Sequence, residues 1–221
     1  MVMRNASDKF IKETSEAVIA FPELKLSCRD GCLPYLEGSV NLFDKNGLVY
    51  DTYNIRIECS KDYPGTFPWV YEVAGRLPAN IEWHVYSDGH FCICTPVEEH
   101  IYCRKGITLV QFITAHVIPY LHNQSFRERE GYFLNERSHG DLGVVEYFYQ
   151  KLGTKSLPEI IKILKFIDRC AEPSRTSTCF CGKRKKYRHC HRTGYRDLKL
   201  LGNSYGYFMQ HINNILRMKT L

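Results

Sequence analysis

The chain has 221 residues and a formal net charge of +6, and 44% of its residues are hydrophobic against 24% charged. This composition is typical of a globular protein with a core and excludes a disordered or fibrous chain. No apolar run approaches the roughly 20 residues of a membrane span, and the N-terminal segment lacks the continuous apolar core of a secretion signal. We therefore expect a cytoplasmic protein without membrane contact.

The first 20 residues predict an amphipathic helix. It begins behind Ser7 and Asp8, runs to about Ala20, and is stopped by Pro22. One face of this helix is predicted to carry Phe10, Ile11, Thr14, Ala17 and Val18.

An antiparallel meander is predicted next. A short strand starts at Leu24, and a turn at 44–47 precedes a segment in which Tyr53, Ile55 and Ile57 alternate with polar residues. Residues 69–73 supply a further strand. A helix followed by such a meander and by more helices indicates the α+β class.

Helices dominate the second half. Thr108 caps the strongest of them, and Pro119 is expected to kink or end it. Its apolar face is predicted to hold Leu109, Phe112, Ile113, His116, Val117, Tyr120 and Leu121. Further helices are predicted at 142–152, at 158–170 with Ser156 and Glu159 as a capping box, and at 205–218.

The stretch from Tyr63 to Ile93 ends on a cysteine, Cys92, that we interpret as a nucleophile. Gly89 makes a turn that can expose the thiol, and His84 or His90 could assist its deprotonation or stabilise an oxyanion. Alternatives remain: Cys92 could be a structural cysteine, and the neighbouring Cys94 or Cys103 could be the nucleophile or packing residues. Asp88 is interpreted as a turn residue.

The same stretch resembles the active-site region of ubiquitin-conjugating enzymes. The matching residues are Tyr63, Pro64, Pro68, Val85, Tyr86, Asp88, Gly89 and Cys92. The resemblance covers about residues 1–150 and implies that family's fold: an N-terminal helix, a four-stranded antiparallel meander and C-terminal helices. It also implies a transferase that carries a protein C-terminus as a thioester on Cys92 and passes it to a lysine or another amine. His84 stands where the family has asparagine, which makes its imidazole the candidate donor.

The divergence from the family pattern is similar to that of bacterial relatives in antiphage defence, notably of the CBASS type. That resemblance implies as partner a protein with an activated C-terminus, either ubiquitin-like or a cGAS-like nucleotidyltransferase. In the family the loading step needs an adenylating partner, and no glycine loop of that kind is visible in this chain.

A second motif, CFCGKRKKYRHCH, predicts a metal site. Cys179, Cys181, Cys190 and His191 can bring three thiolates and an imidazole around one tetrahedral zinc ion. The segment resembles the SEC-C motif, a zinc-binding element at the C-terminus of many bacterial proteins, with Lys183-Arg184 in place of the usual Ser-Gly. So short a unit has almost no core, so metal is expected to fold it. Cys28 and Cys32 lack a second pair of ligands, and we predict no site there.

The basic charge belongs to this second motif. Eight lysines and arginines without an acid lie between Ser174 and Arg196, which leaves the rest of the chain at −2. The loop could bind nucleic acid, but we favour a solvated loop that offsets the charge of the thiolates, and docking to a protein is a third use. We predict two domains, a catalytic one at 1–170 and a zinc-binding one at 171–221.

Rival functions remain open at this point. The same fold could serve as a non-catalytic binding module for a ubiquitin-like or nucleotidyltransferase partner, with Cys92 incidental. A cysteine hydrolase using Cys92 and His84 is a second alternative, and a nucleic-acid binder built on the basic loop is a third.

Overall fold

The computed structural model describes residues 2–29, 31–134 and 136–218, with side chains from Ala6 onward. The chain forms two compact units. The first consists of Met1–Cys94 and Tyr102–Glu136, and the second of Thr95–Ile101 and Arg137–Leu221. The domain boundary predicted at residue 170 lies inside the second unit, and the predicted domains also include residues 1 and 219–221, which lie outside the described residues.

The first unit is an α+β fold built on a four-stranded sheet. Helix α1 (Val2–Ala20) precedes the strands β1 (Lys25–Ser27), β2 (Tyr35–Phe43), β3 (Val49–Glu58) and β4 (Trp69–Glu72). Each strand pairs antiparallel with the next, so the sheet order follows the chain. The predicted class, N-terminal helix and meander are therefore confirmed.

The alternation of apolar and polar residues predicted for β3 matches the alternation of buried and less buried side chains along the strand. Tyr53, Ile55 and Ile57 are buried, whereas the residues between them are not. Helix α1 adds Phe10 and other residues of its predicted face to the same core. Two details of α1 were wrong: the helix begins at Val2, before the predicted Ser7-Asp8 start, and Ile11 is exposed.

Pro119 was predicted to kink or end its helix, and the helix does not end there. Helix α3 (Leu109–Phe112) continues through a π-helical turn (Ile113–Val117) into α4 (Ile118–Glu130), so Pro119 lies in the first turn of α4. A proline ring clashes with the carbonyl one α-helical turn earlier and has no N–H to donate. The wider π turn directly before Pro119 changes that local pairing, so the helix can continue. The predicted Thr108 cap is confirmed, with a complete capping box to Gln111.

The second unit is helical. It contains α5 (Gly140–Leu152), α6 (Leu157–Arg169), α7 (Arg192–Lys199) and α8 (Tyr205–Met218). Helix α2 (Pro96–Arg104) is divided between the units, with its residues up to Ile101 in the second. Neither α2 nor α7 was predicted from the sequence. Ser156 caps α6 as predicted, but Glu159 accepts a hydrogen bond from Thr154 instead of closing the box. None of the described helices is long and apolar enough to cross a membrane.

Gly38 offers a test of how tightly the first unit packs. It lies in β2, where an added Cβ would sit 2.0 Å from the backbone oxygen of Glu23. We expect Gly38→Ala to lower the free energy of unfolding by about 3 kcal/mol, because backbone atoms must move apart. Urea unfolding followed by fluorescence measures this.

Gly75→Ala is the matched control. An added Cβ meets nothing within 4 Å there, although its φ of +77° favours glycine. The cost of this substitution is expected to be near 1 kcal/mol. Equal costs at the two positions would contradict the close approach at Gly38.

Candidate active site and metal centre

Cys92 lies at the end of a short two-stranded ribbon. The N–H of Tyr86 donates to the carbonyl of His90 (2.9 Å), and the N–H of Cys92 donates to the carbonyl of His84 (2.7 Å). The chain reverses between these pairs, where Gly89 adopts a φ of +91°. A type I turn followed by a left-handed glycine is a common hairpin connection. The Asp-Gly sequence therefore brings residues 84 and 92 together.

The ribbon has one buried and one accessible face. Val85 and Phe91 pair across it, and both are buried. Side chains alternate between the two faces of a strand, so the residues flanking this pair lie on the other face. That accessible face carries His84, Tyr86, His90 and Cys92.

Hydrogen bonds attach the ribbon to the edge of the sheet. The N–H of Phe91 donates to the carbonyl of Val70 in β4 (2.8 Å), and His90 pairs with Tyr71. Because β4 is the last strand of the sheet, the N–H and C=O groups of its outer edge are available for hydrogen bonds. The candidate nucleophile is thus supported by the rigid part of the first unit.

His84 is fixed mainly through its backbone. It ends the 3-10 helix Ile81–Trp83 with a φ of +53°, an uncommon conformation for a residue with a side chain. Its carbonyl accepts hydrogen bonds from the Cys92 N–H and from the Tyr120 hydroxyl (2.9 Å). Its ring packs edge-on against Phe133, and a ring nitrogen lies within 4.8 Å of the Cys92 sulfur. The predicted pair is therefore brought together.

The Cys92 thiol is half-buried, and that burial raises its pKa. The Tyr86 hydroxyl donates a hydrogen bond to the sulfur and offsets part of the effect. Since the net shift of the pKa is upward, the thiol keeps its proton at neutral pH. It would need a base at the moment of reaction, and the nearby imidazole of His84 can serve.

Asp88 was predicted to be a turn residue, and it also contacts the side chain of His90. One carboxylate oxygen accepts from the His90 backbone N–H (3.3 Å) and is 2.6 Å from Nδ1 of the same residue. The His90 ring stacks on Tyr86 with centroids 4.3 Å apart and meets Tyr71 edge-on. His90 is therefore oriented from several sides.

The other cysteines of the first unit have different surroundings. Cys94 and Cys103 are half-buried and pack against its core. Cys59 is fully buried, and burial raises the pKa of its thiol to about 12. Cys28 and Cys32 are exposed and belong to no metal-ligating group found among the described residues.

The second unit brings the four predicted metal ligands together. The ligand atoms of Cys179, Cys181, Cys190 and His191 all lie within 4.8 Å of one another. Nδ1 of His191 is 3.3 Å from the sulfurs of Cys179 and Cys190, and the sulfurs of Cys181 and Cys190 are 3.7 Å apart. This cluster could bind a metal ion.

Two local structures present the ligands. The first two cysteines lie on a tight loop in which the N–H of Cys179 donates to the carbonyl of Lys185 (2.9 Å). Gly182, with a φ of +84°, makes the turn of that loop. The other pair joins the 3-10 helix Tyr187–His189 to α7. The two structures converge on one point.

His191 has the tautomer that a ligand needs. Its Nε2 is 2.9 Å from the carbonyl of Leu152, to which only a protonated nitrogen can donate. The neutral ring then has a lone pair on Nδ1, the atom that faces the sulfurs. Metal-bound histidines are commonly oriented in this way by a carbonyl.

Two of the four metal ligands are buried and the other two pack against the same core, which corrects the expectation of a segment with almost no core. Cys179 and His191 are each 3% exposed. Tyr187 and Tyr195 share the core of α5, α6 and α8, and Phe180 stacks on Phe166 at 4.1 Å. The segment is short, but neighbouring helices supply the apolar surface that it lacks.

Burial also shapes the electrostatics of this cluster. It raises the pKa of the Cys190 thiol to about 12, with the neighbouring thiols of Cys179 and Cys181 as the next causes. Several thiolates cannot share a buried site without a compensating positive charge. A bound cation supplies that charge.

The basic loop is only partly neutralised. Arg192 and Arg196 both pair with Glu172 from outside the basic stretch. Lys183 donates to the carbonyl of Gly153 (3.3 Å). The exposed basic residues of the stretch from Ser174 to Arg196 are Arg175, Lys183, Arg184, Lys185, Lys186, Arg188 and Arg196.

Two groups at these sites escaped the sequence analysis. The contact of the Tyr86 hydroxyl with the Cys92 sulfur was missed, although alternation around the Asp-Gly turn would have placed both residues on one face. The carbonyl of Leu152 was missed as well. It is 39 residues from His191, and no local pattern signals it.

Alkylation tests the surroundings of Cys92. Because the pKa of this thiol is raised, we expect iodoacetamide to modify Cys92 more slowly at pH 7.5 than the exposed Cys32, with a rate still rising above pH 9. Tyr86→Phe removes a hydrogen bond that lowers the pKa, so the rate at pH 8 should fall about threefold. Peptide mass spectrometry over time measures both residues.

Tyr71→Phe is the control for this experiment, since the Tyr71 ring also contacts the His90 ring, but its hydroxyl is not a cause of the Cys92 pKa shift. Its rate should match that of the wild type. Faster modification of Cys92 than of Cys32 at pH 7.5 would contradict the raised pKa.

Neither a protein-family model nor a curated protein matches this chain.

Proposed function

We propose that the protein is a ubiquitin-conjugating-like transferase that carries a protein C-terminus as a thioester on Cys92. The observation that carries this proposal is the half-buried Cys92 with an imidazole nitrogen of His84 within 4.8 Å of its sulfur, on the accessible face of a ribbon. A thiolate is a good nucleophile and a thioester a good acyl donor. One cysteine is enough for both steps.

The cycle has two acyl transfers. In the first, His84 takes the thiol proton of Cys92, the sulfur bonds to the activated carbonyl carbon, and the activating group leaves. In the second, an amine nitrogen bonds to that carbon and releases a proton to solvent, the carbon–sulfur bond breaks, and the thiolate recovers a proton from the His84 imidazolium. The Tyr86 hydroxyl, which contacts the sulfur, stabilises the thiolate in both steps.

The fold of the first unit agrees with this proposal. Its order of one helix, a four-stranded antiparallel meander and later helices is what the resemblance to ubiquitin-conjugating enzymes implies. The partner is then a protein with an activated C-terminus, ubiquitin-like or a cGAS-like nucleotidyltransferase of a bacterial CBASS defence system, and the acceptor is a lysine or another amine.

The metal of the second unit is proposed to be zinc. Two ligands of a tetrahedral zinc ion, with Zn–S near 2.3 Å and Zn–N near 2.0–2.1 Å, lie roughly 3.5–3.8 Å apart. The separations of 3.3 and 3.7 Å between ligand atoms are close to these values. Three thiolates and one imidazole also suit zinc chemically. Because four protein ligands leave no open position, the ion would be structural.

A cysteine hydrolase is the second candidate, and the same proximity of His84 to Cys92 favours it. The two functions differ in what happens to the acyl group. A hydrolase passes it to water and accumulates no stable adduct, whereas a carrier holds it until an amine arrives.

Intact-mass analysis of the tagged protein from its own host tests the carrier function. We expect a protein-sized adduct that thiols remove from the wild type, that persists on Cys92→Ser as an ester, and that is absent from Cys92→Ala. The mass of the adduct identifies the cargo. Cys94→Ser is the matched control and should carry the adduct normally.

Two other outcomes would decide against the carrier. Turnover of a thioester by the isolated protein, without an adduct, would favour the hydrolase. No adduct and no turnover, with the genetic neighbours present, would favour a non-catalytic binding module.

Metal analysis tests the zinc centre. We expect about one zinc ion per chain in the purified protein and little zinc in Cys190→Ser. The Cys190→Ser protein should also melt at a lower temperature, because loss of the ion leaves a cluster of thiols and an imidazole without it. Cys170→Ser is the control, since Cys170 is half-buried in the same unit but outside the cluster. Full zinc content in Cys190→Ser would rule out the assigned ligands.

A further inference from the structure

We infer that His90, oriented by Asp88, is the base that takes the proton of the attacking amine in the second acyl transfer. This inference rests on the proposed carrier function of Cys92 and assigns it a second catalytic histidine.

Asp88 and His90 have the geometry of a carboxylate–imidazole pair. The Asp88 carboxylate is 2.6 Å from Nδ1 of His90, and the same oxygen accepts the His90 backbone N–H at 3.3 Å. When Nδ1 donates to the carboxylate, the neutral ring keeps its lone pair on Nε2. The turn thus fixes which nitrogen of His90 can accept a proton.

The ring of His90 is also held in place by aromatic neighbours. It stacks on Tyr86 at 4.3 Å, and Tyr71 and Trp69 lie with ring centroids 6.3 and 6.2 Å away. The His90 side chain is 26% exposed, so a solute can reach it. A fixed and reachable imidazole is suited to proton transfer.

The ribbon places His90 at a useful distance from the thioester. His90 and Cys92 are two residues apart on one extended segment and lie on the same face, which separates their backbones by roughly 6.6 Å. This separation lets the His90 ring accept the proton of an amine that attacks the carbonyl carbon on the Cys92 sulfur. Tyr86 links the two positions, since its ring stacks on His90 and its hydroxyl contacts the sulfur.

His84 and His90 then divide the proton transfers. The His84 ring packs against Phe133 and has a nitrogen within 4.8 Å of the Cys92 sulfur. His84 therefore accepts the proton of the Cys92 thiol and later returns it. The attacking amine loses its own proton as the carbon–nitrogen bond forms, and that proton goes to Nε2 of His90 and then to solvent. The thiolate that leaves takes its proton from His84, which balances the step.

A small acyl thioester separates this inference from the carrier function. The probe is the thioester of N-acetylglycine with mercaptoethanesulfonate, applied to a Cys28→Ser/Cys32→Ser background to remove exposed thiols. Acylation of Cys92, located by peptide mass spectrometry, is the first readout. After removal of the excess probe, Nα-acetyl-lysine amide is added at pH 7.5, and loss of the adduct is timed.

We expect His90→Gln to be acylated like the background protein, which also shows that it is folded. Its transfer to the lysine amine should be slower by on the order of 10²-fold, the usual contribution of a general base. Asp88→Asn should slow the same step about tenfold, because Asp88 only positions the ring. With hydroxylamine both variants should stay within about twofold of the background protein, because the nitrogen of its addition intermediate is far more acidic than that of the lysine intermediate and loses its proton to water without a base.

His122→Gln is the matched control, because His122 is a partly buried histidine of the first unit that pairs with Tyr50; its rates should not change. If His90→Gln is acylated normally and transfers to lysine at the background rate, His90 is not the base and the carrier function stands. If both amines are slowed equally, His90 acts on the shape of the site and the inference is wrong. If Cys92 of the background protein is not acylated, the carrier function fails and this inference fails with it.

Discussion

The candidate active site depends on one hydrogen bond, from the N–H of Cys92 to the carbonyl of His84. It closes a ribbon whose buried pair, Val85 and Phe91, faces the core. Because side chains alternate along extended backbone, burying this pair places the chemically useful side chains on the opposite face. The carbonyl of His84 also accepts a hydrogen bond from the hydroxyl of Tyr120. A packing requirement therefore assembles the site.

The second unit places polar metal ligands in and against an apolar core. Three thiols and an imidazole inside a core are costly unless each finds a partner. The carbonyl of Leu152 accepts one nitrogen of His191 and leaves the other for a metal. Tyr187 and Tyr195 belong to the same core as Cys179. Metal binding and helix packing are thus expected to stabilise each other.

The sequence could be interpreted furthest where its signals were local. The alternation of Tyr53, Ile55 and Ile57 gave β3, and the spacing of four ligands between Cys179 and His191 gave the metal cluster. Sequence-based prediction failed where the local pattern was ambiguous or absent. Pro119 continues its helix because a π turn precedes it, and residues 96–104 form a helix although no clear pattern marks them.

The sequence by itself determined the α+β class, the order of the strands and which cysteines cluster, because periodicity and spacing act over a few residues. Only the tertiary structure decided that residues 137–170 pack with the metal-binding segment, that Tyr86 contacts the Cys92 sulfur, and that Leu152 orients His191. Most of these contacts join residues far apart in the chain. They arise when apolar surfaces are buried together, and a local pattern does not record that.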